Sequence, residues 1–220
     1  ILYMLHELYN EGEITKLPVY VDSPLSSKLT KVFGEHPEVY DSDTHKTFLK
    51  NGENPFAFKQ LTFIESVEES MALNREKAPH IVIASSGMCE AGRILHHLRH
   101  KIHDERTTIL VVGYMAQHTL GRRILEKGME FKEAGRKGKA PVQKFLNKEY
   151  PLLAHVEAIN GFSAHGDQSE LLQFLSKSNL SVKKIAVVHG EEEQSLQFAD
   201  KLNSTGYDAL VPYSGQMVRV

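Results

Sequence analysis

His155-Val156-Glu157-Ala158-Ile159-Asn160-Gly161-Phe162-Ser163-Ala164-His165-Gly166 joins an apolar, strand-like run to a Ser-Ala-His-Gly tetrapeptide. The order recurs in Lys184-Ile185-Ala186-Val187-Val188-His189-Gly190-Glu191. A helix-like segment follows each time, over residues 168–176 and 192–202. Strand, histidine, glycine and helix in that order is the pattern of α/β architecture. Two imidazoles at the carboxyl ends of two strands of one sheet are expected to converge on one rim, where open α/β sheets keep their chemistry. Imidazole is the commonest metal ligand and the side chain best suited to proton transfer near neutral pH. Spacing alone leaves open that each histidine is an ordinary polar residue at a strand end.

The same alternation runs upstream. Residues 18–21, 61–64, 80–84 and 108–112 read as strands, and residues 25–33, 66–75, 90–102 and 118–127 as the helices after them. Such alternation implies parallel βαβ units. Residues 1–11 read as a helix ended by Gly12, and Ser66 with Glu69 as a capping box. Residues 34–60 are polar and broken by Pro37, Gly52 and Pro55, and residues 130–150 are charged and rich in Gly and Lys. The tail from Ala209 reads as a closing strand or hairpin.

The 220 residues suffice for one large domain or two small ones, and 41% hydrophobic with 25% charged residues is ordinary for a globular protein. A formal charge of −2 exerts no global pull on nucleic acid, so any such binding must rest on a local patch. The lone Cys89 excludes an internal disulfide and a Cys-rich zinc module, and fits a reducing, cytoplasmic setting. No apolar run approaches the ~20 residues of a membrane span, and no signal-peptide pattern is present. The first residues, Ile1-Leu2-Tyr3-Met4, open inside an amphipathic segment with no cap before it, which reads as a fragment of a longer protein.

Three loops share one chemistry. Val21-Asp22-Ser23-Pro24, Ala84-Ser85-Ser86-Gly87-Met88 and Gly113 to Arg123 each leave a strand and enter a helix. Small hydroxyl and glycine residues there can present backbone N–H groups to phosphate, and Arg122 and Arg123 can add forked contacts. For any one of these loops ordinary helix capping is the better explanation. In consecutive βα units they are expected to line one edge together. Asp22 reads as the cap of its turn or as a catalytic acid. His96, His97, His100 and His103 lie in one helix and read as a solvated face made basic by Arg93, Arg99 and Lys101. There is no His-x-His-x-Asp-His, no His-Glu-x-x-His and no Cys pair, and two histidines fall short of the three or four protein ligands zinc takes.

Ile83-Ala84-Ser85-Ser86-Gly87-Met88-Cys89-Glu90-Ala91-Gly92-Arg93, Val112-Gly113-Tyr114, Thr119-Leu120-Gly121-Arg122, Gly161-Phe162-Ser163-Ala164-His165 and His189-Gly190-Glu191 together resemble the β-CASP family of metallo-β-lactamase-fold RNA nucleases. The likeness is greatest to prokaryotic relatives of the cleavage and polyadenylation endonuclease, and it runs the length of the chain. The resemblance implies an α/β fold with a parallel-sheet β-CASP domain over residues 1–150. Residues 151–220 would be the C-terminal strands and helices of a metallo-β-lactamase domain. It implies zinc-dependent hydrolysis of RNA phosphodiesters, with two zinc ions in the full-length protein. His165 falls at the family's motif B, which implies an acid or phosphate contact at the scissile bond, and His189 at motif C, which implies a metal ligand. Ser85, Ser86, Gly87, Thr119, Arg122 and Arg123 would hold the RNA backbone. The family's main metal motif is missing from these residues, so the fragment alone is expected to hold no zinc and to be inactive. RNA is the expected partner, no membrane is, and a homodimer is possible. The alternatives are a non-catalytic phosphate- or RNA-binding Rossmann-like module and an inactive scaffold homologue.

Overall fold

A computed structural model describes residues 1–163 and 165–218. The chain divides into two compact units, Ile1–Phe162 and Ser163–Val220.

The first unit opens with α1 (Leu2–Glu11) and β1 (Val19–Asp22), in which Val19 and Val21 are fully buried. α2 (Pro24–Glu35) follows, with Ser23 as its N-cap accepting from Ser26 N. The polar stretch after it is folded, containing α3 (Ser42–Thr47), capped by Asp41, between two short 3-10 turns. Next come β2 (Leu61–Phe63), α4 (Val67–Leu73) and β3 (Ile81–Ala84). The Ser66–Glu69 capping box is present in both directions. β1 lies between β2 and β3, parallel to both, with Val21 opposite Phe63 and Ile83. The carboxyl end of this central strand is Asp22.

α5 (Ile94–Lys101) starts four residues later than its apolar pattern suggests. The delay has a steric cause. Gly92 sits at φ +83°, where a Cβ would come within 2.5 Å of the Ser85 carbonyl oxygen, so residues 85–93 close into a compact loop. β4 (Thr108–Val111) leads to α6 (Leu120–Glu133), which starts two residues later and ends six residues later than the sequence pattern at 118–127. The Gly/Lys-rich stretch then forms a hairpin. Its strands are β5 (Val142–Phe145) and β6 (Lys148–Pro151), with Leu146 and Asn147 at φ 48° and 58°. Two left-handed residues in succession make the turn whose twist matches paired strands. β7 (His155–Ala158) returns parallel to β4, Leu110 opposite Glu157. α6 packs on β7 so closely that a Cβ at Gly128 would overlap the Val156 side chain. Leu98, Ile102, Leu120, Ile124, Leu152 and Val156 form the core here.

The second unit holds α7 (Gln168–Lys177), β8 (Ile185–Ala186), α8 (Glu192–Ser204) and β9 (Ala209–Leu210). Asp167 and Glu170 make a reciprocal capping box at α7. β9 runs parallel to β8 instead of forming a hairpin, and the tail bends at Tyr213, whose carbonyl accepts from Gln216 N. Ala199, Leu202 and Ala209 are its buried centre.

Candidate functional site

His165 belongs to the Ser-Ala-His-Gly motif, of which Ala164 lies outside the described residues. Ser163 Oγ accepts from the His165 backbone N–H at 3.3 Å and shares a hydrogen bond with ring Nδ1 at 3.2 Å. Nε2 has no partner among the described residues. The cap of α7 is Asp167, so the helix start does not require His165. His189 follows β8 in the left-handed region at φ 65°, a costly conformation for a residue with a Cβ. It lines an open cavity of about 510 Å³ with Val187, Val188, Glu192, Ser195 and Tyr213 among its walls. Gly190 is pressed against the Ser195 hydroxyl, with no room for a Cβ.

The strand before His165 pairs with β4 in the first unit, and the strand before His189 pairs with β9 in the second. His165 is not part of the wall of the His189 cavity.

The three anion-type loops do meet. Gly121 N donates to Met88 O at 2.9 Å, Ala116 N to Met88 Sδ at 3.2 Å, and Leu120 N to the Glu90 carboxylate. The first loop joins the second through Asp22 and Arg93. Much of their polar capacity is used internally. Ser86 N and Oγ both donate to Ala91 O, and Ile94 N donates to Ser85 O. Gly87 stands at the tip in open space. Thr119 caps α6 and donates its hydroxyl to Ala116 O at 2.7 Å. Arg122 Nε donates to Glu126 at 2.6 Å, and Arg123 donates to His118 O at 2.7 Å. The N-terminus of α6 is already occupied by the Glu90 carboxylate, the charge a helix N-terminus favours.

A buried polar centre lies where the sequence reading placed a cap and a solvated face. Asp22 is fully buried. Its carboxylate accepts from Ser70 Oγ at 2.6 Å, Arg93 at 2.5 Å and His97 Nε2 at 2.6 Å. Arg93 reaches on to the carbonyls of Ile64 and Glu65 at 3.2 and 3.1 Å. Burial pushes the Asp22 carboxyl up, but the hydrogen bonds from Ser70, Arg93 and His97 outweigh it and leave its pKa below the ordinary value. Burial lowers that of His97 more than Asp22 raises it, so the ring is neutral at pH 7 and donates its Nε2–H. The ion pair is therefore Asp22 with Arg93. The legible signal was spacing: Arg93 and His97 are four apart and share one helical face. That face turns inward to the end of β1.

Among the described residues no three of His, Cys, Asp and Glu come together as a metal set. Among the described residues on the His189 cavity wall, Glu192 is the one carboxylate. These residues do not fit a zinc site by themselves, which takes three or four protein ligands.

Residues 1–124 match the family model described as Beta-Casp domain. The chain belongs to the Beta-Casp family. Residues 149–212 match the model described as Zn-dependent metallo-hydrolase RNA specificity domain, so His165 and His189 both lie in that region and the Ser85–Gly92 loop in the Beta-Casp domain. Ribonuclease TTHA0252 of Thermus thermophilus is 34% identical over 99% of this chain and 47% of its own length. Transcription termination factor FttA of Methanocaldococcus jannaschii is 32% identical over 91% of the chain and 30% of its own length. FttA of Methanosarcina mazei is 27% identical over 92% of the chain. The chain thus spans about half the length, or less, of the curated relatives it matches.

Proposed function

We propose that this chain is the RNA-facing part of a zinc-dependent ribonuclease that hydrolyses phosphodiester bonds in RNA processing. The observation that carries the reading is the succession of a Beta-Casp domain and a metallo-hydrolase RNA specificity domain along one chain. A ribonuclease among its relatives, 34% identical, aligns along nearly the whole chain.

His165 is the proton donor in this reading. In the protonated ring Nδ1–H donates to Ser163 Oγ, which fixes the ring and leaves Nε2–H for the leaving oxygen. Once Nε2 has lost its proton, the neutral ring keeps Nδ1–H on Ser163. His189, held on the cavity wall, contributes one imidazole ligand in a whole protein of the relatives' length, for which two zinc ions are expected. The chain's own residues do not complete that set, and no step is derived through it. Ser85, Ser86 and Gly87 place a loop tip against the RNA backbone. Thr119, Arg122 and Arg123 would contact phosphate by exchanging their present partners for it.

The test is made on the full-length protein. His189→Ala should lower zinc content and cleavage together. His165→Ala should retain zinc and slow cleavage by a factor of about 10² to 10⁴, the scale of a lost general acid. Equal metal loss in both variants would put His165 among the ligands, and unchanged cleavage in both would remove the two histidines from the reaction.

A further inference from the structure

The first strand and the turn of the basic hairpin, with the lysines before them, lie in residues 125–148 that neither family match covers. From Ala134 to Lys148 the chain carries Arg136, Lys137, Lys139, Lys144 and Lys148 and no acidic residue, against a net charge of −2 for the whole. Arg136 has a structural task. It donates to the carbonyls of Leu153 and Ala154 and lies over the Phe131 ring, 5.0 Å from its centroid. The four lysines differ from it. All are exposed, and none enters an ion pair among the described residues, whereas nearby Lys127 and Lys132 pair with Glu130 and Glu157.

The support beneath these lysines is firm. Phe145 is buried and stacks on Tyr150 with centroids 4.5 Å apart, Gln143 is buried, and Leu152 N closes the ribbon onto Pro141 O at 2.7 Å. Lys144 stands opposite Glu149, and Lys148 opposite Phe145, so the two lie on opposite faces of the ribbon beside its turn. Lys137 and Lys139 precede it. The cations therefore surround the projecting hairpin instead of forming a flat plate. A flexible polyanion needs charge density, not a plane, and Lys binds phosphate as a point charge without fixed geometry. Protein interfaces are depleted in Lys, which argues against a protein partner.

We propose that this hairpin is a second RNA-binding surface, gripping the phosphate backbone of a single strand through Lys137, Lys139, Lys144 and Lys148. It rests on the reading of the chain as RNA-facing. It would hold the strand without regard to base sequence, because phosphate contacts position but do not specify.

The test measures binding of a fluorescein-labelled, mixed-sequence single-stranded RNA to the whole chain by anisotropy, from about 50 to about 200 mM monovalent salt. Replacement of all four lysines by Gln should weaken binding about tenfold or more at the low end. It should reduce the slope of log affinity against log salt by up to about 2.8, four contacts at about 0.7 each. Lys137→Gln with Lys139→Gln, outside the paired strands, should give about half that loss and guards against a misfolded hairpin. Arg122→Ala with Arg123→Ala is run beside them. If the lysine variants bind as the unaltered chain does while the arginine variant weakens, the hairpin proposal is overturned and the RNA reading stands. If the unaltered chain binds no RNA at low salt, both fall, and the basic surface is left to an acidic protein.

Discussion

The buried centre around Asp22 and the exposed pair His165 and His189 are opposite ways of deploying polar residues. Asp22 has three donors and no exposure, and everything it touches is held. The histidines stand in a unit whose buried hydrophobic core is Ala199, Leu202 and Ala209, while Phe174 and Leu180 are each 68% exposed. One of them carries a strained backbone. A fully partnered polar group rigidifies its surroundings and has little capacity left for a ligand. A group with an unused nitrogen has the reverse properties. Polarity alone therefore says little about function, and the count of unsatisfied donors and acceptors says more. Asp22 and His97 hold the loops of the Beta-Casp domain, whereas His165 and His189 are exposed and His165 Nε2 has no partner among the described residues.

The sharpest way to break this contrast is Asp22→Asn. The amide keeps the shape but offers only one acceptor oxygen to three donors, and it leaves Arg93 without its counter-charge at a site where its side chain is 19% exposed. Removing one partner of a buried pair costs about 3–5 kcal/mol. Denaturant unfolding followed by hydrogen exchange should show that loss in β1, β3 and α5, with α8 amides unchanged. Equal loss in α8 would mean that the two units unfold as one and that the contrast is not local. Adding Arg93→Met should recover part of the stability, because a buried pair replaced by apolar groups can be nearly neutral.

The sequence disclosed the elements better than their partners. Periodicity and caps were sufficient for α1, β1, α4 with its capping box, β4 and α7, because those signals are local. The hairpin at Leu146-Asn147 was not legible because only the charge and Gly/Lys content of its stretch stood out, while the pattern of buried Gln143 and Phe145 between exposed neighbours was short. The buried Asp22 centre was missed because residues 22, 70 and 93 with 97 come from three separate elements, β1, α4 and α5, and only the parallel sheet brings them together. The pairing of β7 with β4 and of β8 with β9 was not legible for the same reason: a strand's apolar run does not say which neighbour it will take. The contacts at Met88 and Gly121 show that the second and third of the anion-type loops touch, although the strands they leave lie in different sheets.

A milder probe is pH. The pKa of His97 is lowered on folding, so below its unfolded value of about 6.5 the unfolded chain binds more protons, and stability falls with falling pH down to the folded value. Asp22, also lowered, contributes stability that is present above about 3.9 and is lost as pH falls through its folded value. Protection of β1 and α5 amides should therefore weaken in two stages, the first beginning near pH 6.5. About 1.4 kcal/mol is lost for each unit of pKa difference. Protection that stayed level from pH 8 to pH 5 would show that His97 is not held neutral by burial beside Asp22.

The smallest effect belongs to His189. A residue with a Cβ in the left-handed region costs on the order of 1 kcal/mol or more, and glycine there costs almost nothing sterically. Removing the ring from the cavity wall exposes no buried core, because the buried centre of this unit lies in Ala199, Leu202 and Ala209. His189→Gly should thus leave stability unchanged or raise it by up to about 1 kcal/mol, whereas His189→Ala, which keeps the Cβ, should show no gain. Chemical denaturation of the two variants side by side measures the difference, and hydrogen exchange in α8 and β9 locates it. A stabilising glycine would mean that the imidazole is retained at a cost to folding, as expected of a side chain kept for what it binds. A glycine variant less stable than the alanine one would show that His189 packs its unit together, and the contrast with Asp22 would then fail at the residue on which it most depends.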